Sequence, residues 1–116
     1  MDELQLRKLK AEYLDQYLFG YLRNLNDGFD SSGIAYFSEQ NFEKVLGRIQ
    51  QLGLGVYGIE PWMDGEYFSV DTFESYNTQS EDPKWYFTAF EKFKQLKKPL
   101  QYSASYHVSE DLLTGK

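Results

Sequence analysis

The chain contains no cysteine. That excludes disulfides, thiol nucleophiles and thiolate metal sites, and it fits a reducing compartment. There is one imidazole, His107, and no G-x-S-x-G elbow or thiol to accompany it, so a hydrolase constellation is not expected. The G-K-[ST] of a phosphate loop is missing. Gly53-Leu54-Gly55 lacks the full glycine pattern, and it follows a helix and precedes a strand, the reverse of a dinucleotide site. Asp64, Glu66 and Asp71 do not fall into the calcium-loop spacing. No catalytic residue, metal or cofactor is therefore expected. No apolar run approaches the roughly 20 residues that a membrane span needs. Met1-Asp2-Glu3-Leu4 is not a basic region followed by an apolar run, so a secretory signal is not expected either, and the expected location is cytoplasmic.

The most telling absence is regional. Between Ile49 and Pro83 there is no lysine or arginine, while seven carboxylates stand there: Glu60, Asp64, Glu66, Asp71, Glu74, Glu81 and Asp82. That window carries -7 against -6 for the whole chain, so the remaining residues hold eleven acids against twelve bases. Like charges so placed repel one another, and the fold gains nothing from them. An acidic surface with aromatic anchors suits a basic protein partner. A solvated acidic hairpin that only aids solubility is the simpler alternative. The sequence pI near 4.7 argues against nucleic-acid binding, which needs clustered Lys and Arg.

What is present is apolar and aromatic. A hydrophobic share of 41% with ten Tyr and nine Phe in 116 residues excludes disorder and predicts one domain with its own core. Over residues 3–26, Leu6, Leu9, Tyr13, Tyr17, Tyr21 and Leu25 recur at steps of three or four, with Leu14, Leu18 and Leu22 widening the stripe. This predicts a long N-terminal helix within residues 1–27, stopped by Asn26-Asp27-Gly28. It either covers the sheet or serves as a homodimerisation helix. Gly20 in its interior suggests close packing. A short strand is expected at 34–37. Ser38 is a candidate N-cap of a second helix, with Phe37 and Phe42 placed as a hydrophobic staple and Gly53 as its C-terminal glycine.

Two strands follow, at 54–60 and 66–73, joined by Pro61-Trp62-Met63-Asp64-Gly65. Asp82-Pro83 opens a third helix with a cap and an N1 proline. Trp85 starts its buried stripe, and Tyr86 is offset from that stripe and expected on the surface. Leu100, Tyr102, Ala104, Tyr106 and Val108 alternate with polar residues, the cleanest strand pattern in the chain. Ser109 caps a final short helix. The order α-β-α-β-β-α-β-(α) predicts an α+β domain, a four-stranded, mostly antiparallel sheet with helices packed on it. Residues 33–108 match the β-α-β-β-α-β unit of a ferredoxin-like plan, with a different α+β strand order as the open alternative.

Gly58-Ile59-Glu60-Pro61-Trp62-Met63-Asp64-Gly65-Glu66-Tyr67, with Asp82-Pro83-Lys84-Trp85-Tyr86 and Tyr102-Ser103-Ala104-Ser105-Tyr106, resembles small acidic bacterial immunity proteins of polymorphic toxin systems. The resemblance implies a non-enzymatic inhibitor that binds and occludes a cognate, basic toxin. The expected partner-binding residues are Glu60, Trp62, Asp64, Glu66, Asp71, Glu74, Glu81, Asp82 and Tyr86. Two other classes stay open: a general adaptor or homodimeric module, and a small carboxylate-dependent enzyme in which Glu60 and Glu66 face each other across the hairpin. For Trp62, an exposed anchor and a buried core residue are equally compatible with the sequence.

Overall fold

The computed structural model describes residues 2–115. Asp2 starts helix α1 (Glu3–Tyr13) with a reciprocal capping box: its carboxylate accepts the Gln5 N–H at 2.8 Å, and the Gln5 side chain accepts the Asp2 N–H. The helix then widens into a π-helical segment, Leu14–Phe19, and ends at Gly20, six residues before the expected stop at Asn26. Gly20 takes φ +55, a conformation that L side chains rarely adopt. Arg48 reaches over to donate from Nη1 to the carbonyls of Leu18 at 2.8 Å and Phe19 at 3.2 Å. A cation thus satisfies the orphan carbonyls at the helix end. Of the expected stripe, Leu18 is buried in the core, and Tyr13, Leu14 and Leu22 pack against it. Tyr17 and Tyr21 stay exposed, and no residue of α1 is buried.

Residues 21–36 run as a loop tied down by two asparagines. Asn24 Oδ1 accepts the Tyr36 N–H, and Asn26 Nδ2 donates to the carbonyls of Ser31 and Ile34. The expected strand at 34–37 shrinks accordingly to β1 (Phe37–Ser38). Helix α2 (Glu39–Leu52) begins at the predicted Ser38 cap, whose hydroxyl accepts the Asn41 N–H, and ends at Gly53 with φ +72. Strand β2 (Gly55–Met63) runs through Pro61 and Trp62, which the sequence reading placed in the turn. The turn is Asp64-Gly65 alone, both at positive φ, the signature of a tight two-residue hairpin.

The expected strand at 66–73 is broken into β3 (Glu66–Tyr67) and β4 (Asp71–Thr72). The cause is Pro61. Its carbonyl accepts N–H groups from both Phe68 and Ser69, so a bulge faces the side on which proline has no N–H to offer. Proline is tolerated inside a sheet at such bulges. A short 3₁₀ turn, Phe73–Tyr76, leads to α3 (Pro83–Leu96), β5 (Gln101–His107) and α4 (Glu110–Thr114).

All pairings are antiparallel, in the order β1-β5-β2-β3, with β4 also on β2. The architecture is the expected α+β sheet with helices packed on it. The strand order differs from a ferredoxin-like sheet, which has the first strand of the unit inside. Here β1, with two residues, lies at the edge, where a short strand leaves little unpaired backbone. The two long strands take the centre.

Helices α2 and α3 lie together on one sheet face. Phe42, Val45, Leu46 and Ile49 of α2 and Trp85, Tyr86, Ala89, Phe90 and Phe93 of α3 join Val56, Ile59, Tyr102 and Tyr106 in the core. Burying each large side chain contributes about 1.5–3 kcal/mol. The staple pair Phe37 and Phe42 is fully buried. Gly55 sits where the chain passes Ser80, whose carbonyl accepts the Val56 N–H at 2.8 Å. A Cβ on Gly55 would lie 2.5 Å from Ser80 Oγ and 3.0 Å from Ser80 Cβ. Gly55→Ala is therefore expected to cost about 1–3 kcal/mol by overpacking. Ser80→Gly should recover most of that loss, a non-additivity that paired denaturation curves would reveal. Additive losses would show that the crowding is not the cause.

Candidate protein-binding face

The helices leave the opposite face of the sheet uncovered. Alternation along β2 and β5 puts Gly58, Glu60 and Trp62 there, beside Ser103, Ser105 and His107, and an irregularity between Val56 and Gly58 brings Tyr57 to the same side. The 21–36 loop covers one end. Phe29 and Tyr36 pack on Trp62, with ring centroids 5.5 and 5.4 Å away, and Tyr67 adds an edge contact at 6.4 Å. Phe29 also lies near the turn glycine, Gly65, where an added Cβ would stand 3.5 Å from Phe29 Cβ. Tyr36 is fully buried and donates its hydroxyl to Asp30 Oδ2. That bond holds the Asp30 carboxyl below the usual carboxylate range. Trp62 is thus neither a free anchor nor a residue of the main core. It is half-buried in a second aromatic cluster, and its Nε1–H donates to Glu60 Oε2 at 2.8 Å.

The seven window acids separate into two groups. Four have local structural work. Glu60 takes the Trp62 indole. Asp71 pairs with Lys92 and accepts the Tyr76 hydroxyl at 2.7 Å. Glu81 accepts the Ser80 hydroxyl. Asp82 caps α3, accepting the Lys84 N–H at 3.0 Å and the Thr78 hydroxyl at 2.7 Å, and the Thr78 bond leads in holding its carboxyl low. The other three, Asp64, Glu66 and Glu74, are exposed and make no ion pair or side-chain hydrogen bond among the described residues.

Tyr86 corrects the expectation most clearly. It is fully buried in the core, so it presents nothing to a partner. Both sides of α3 near its start are covered, which a single-stripe reading of the helix misses. Glu60 and Glu66 do not face each other. Glu66 pairs with Met63, and strand alternation puts Met63 and Glu60 on opposite faces. His107 Nδ1 lies 2.7 Å from the Tyr57 hydroxyl. No three metal-ligating side chains converge among the described residues.

The apolar residues around these acids are not among the expected partner contacts. Tyr67 (57% exposed), Phe68, Val70, Tyr57 and Ile34 are all open to solvent along the β3–β4 edge and the uncovered face. The weak alternation of residues 66–73 was the available signal: apolar residues on both sides of a strand need covers on both faces. Between Ile34 on the loop and Val70, Phe73 and Glu74 on the far side runs a groove of about 450 Å³, floored by Gly58, Ser103 and Ser105. No helix among the described residues is long and apolar enough to cross a membrane. No protein-family model, curated protein or solved structure matches the chain.

Proposed function

We propose that the protein is a non-enzymatic inhibitor of the immunity type, which binds a cognate basic toxin in the bacterial cytoplasm and occludes it. The observation that carries this reading is the combined surface at the β2–β3 hairpin and its edge. Exposed Tyr67, Phe68 and Val70 lie beside the unpaired carboxylates Asp64 and Glu66. Apolar and aromatic anchors supply contact area, and peripheral acids accelerate encounter with a basic surface. No bond-making step is required of this chain.

The test is co-expression with the product of the adjacent gene. Rescue of growth and co-purification are the expected results. The complex should weaken at about 0.5 M salt, where charges more than a few ångströms apart are screened. Absence of both toxicity and complex would overturn the reading. The double variant Asp64→Asn with Glu66→Lys locates the surface. Asparagine is chosen because residue 64 sits at φ +52, where lysine would strain the turn. Its association rate should fall about tenfold or more at low salt and converge with wild type at high salt, with the fold intact. An unchanged rate at low salt would remove the hairpin from the interface.

The self-association alternative draws on a different observation: Leu4 (76% exposed), Tyr17 and Tyr21 are open along the N-terminal segment. Sedimentation of the chain alone decides it. A concentration-dependent dimer lost on Leu4→Glu with Tyr17→Glu would favour that module over the inhibitor.

A further inference from the structure

We infer that the groove on the uncovered sheet face receives an arginine side chain of a basic partner protein, with Glu60 as its counter-charge. This rests on the partner-binding reading above and extends it from the hairpin edge to the middle of the sheet.

The groove is a consequence of small residues. Gly58 and Ser105 face each other across β2 and β5, and Ser103 lies beside Glu60 in the same register. With no large side chain between them, Ile34, Tyr57, Val70 and Phe73 become walls rather than a closed core. Two carboxylates line it, Glu60 and Glu74, and no lysine or arginine does so among the described residues. The nearby Asp71 is already neutralised by Lys92. The groove is therefore apolar at its walls and uncompensated in charge.

Glu60 is well placed to hold a cation. Its Oε2 is occupied by the Trp62 indole, which fixes the carboxylate, while Oε1 takes no hydrogen bond or ion pair from the described residues. Its position on the central strand, opposite Ser103, fixes the backbone beneath it, and the Ser103 hydroxyl donates to the Glu60 carbonyl. Such a preorganised, half-buried acceptor loses little rotamer freedom on binding. Arginine fits better than lysine for two reasons. Its guanidinium is weakly hydrated and stacks on aromatic walls such as Tyr57 and Phe73, and its several N–H groups can reach the Ser105 hydroxyl or Glu74 as well as Glu60. Lysine would bring a strongly hydrated point charge into a half-apolar slot.

The test uses N-acetyl-arginine amide as the probe, titrated into the labelled protein and followed by amide and indole NMR signals. Gly58, Thr72, Ser105 and the Trp62 indole N–H should shift saturably, at about millimolar affinity for so small a ligand. The uncharged N-acetyl-citrulline amide should bind at least about tenfold more weakly, as should the arginine probe with Glu60→Gln, which keeps an acceptor for Trp62 but removes the charge. Equal binding of the citrulline probe, persistence in Glu60→Gln, or no saturable shift would overturn the inference. Asp64→Asn with Glu66→Lys should leave this titration unchanged, which separates the two claims. A toxin complex sensitive to the hairpin variant but indifferent to Glu60→Gln would sink the groove and keep the inhibitor. Arginine binding without any toxin complex would do the reverse.

Discussion

Raising the pH above about 10, the ordinary range of tyrosine ionisation, is expected to unfold the protein in a single steep transition. Tyr36, Tyr86, Tyr102 and Tyr106 are buried, and burial first of all pushes each phenol upward, since it disfavours the phenolate. Tyr86 is pushed up to about 12, with Asp82 adding a smaller repulsion. The partly buried Tyr76 also reaches about 12, through burial and its bond to Asp71. Tyr36, Tyr102 and Tyr106 rise further. Tyr36 has the additional burden of the Asp30 carboxylate, to which its hydroxyl donates.

A raised folded-state pKa means that the native state keeps its proton while the unfolded chain loses it. The stability from these groups is complete below the unfolded value near 10, and it is lost as pH rises through the folded values. Each such proton changes stability by about 1.4 kcal/mol per pH unit, so four together give a slope of about 5 kcal/mol per unit. At that slope a domain with about 5–10 kcal/mol of total stability, the lower part of the usual range, is exhausted by pH 11–12. Tyrosinate absorbance and circular dichroism should change together over this range. Ionisation of all ten tyrosines near pH 10 with secondary structure retained would contradict the burial of these hydroxyls.

The second large effect is expected at Phe42. Its ring stacks on Tyr102 at 5.1 Å with the planes 12° apart, meets Phe90 edge-on at 5.6 Å, and is fully buried. It is the point where α2, α3 and β5 meet. Phe42→Ala removes both aromatic contacts and leaves a cavity that the rigid sheet cannot close. The expected loss is about 3–5 kcal/mol, which lowers the melting temperature by about 10–20 °C in a domain of this size. Phe42→Leu retains more volume and should lose less. A thermal scan in which alanine shifts the midpoint by only a few degrees would mean that the core is not organised around this ring.

Much of the secondary structure was legible because its signals are local. The Ser38 and Asp82 caps, the αL glycine at position 53 and the alternation of residues 100–108 depend on neighbours in the chain, and each element formed where they indicated. The end of the first helix was not legible. Gly20 reads as a tolerated interior glycine, and the group that caps the carbonyls before it, Arg48, lies on another helix. Nor could residues 66–73 reveal their break, which answers to Pro61 on the partner strand.

The candidate surface divides in the same way. The -7 window, the absence of cations in it and the aromatic richness around it belong to the sequence alone. Which acids remain free was decided in three dimensions, because Trp62, Lys92 with Tyr76, Ser80, and the Thr78 hydroxyl with the Lys84 backbone claim four of them. The burial of Tyr86 and the open groove over Gly58 were decided there too. Charge and capping act between residues close in the chain and can be read from it. Exposure depends on which surfaces the packed helices leave uncovered, and that follows only from the strand order.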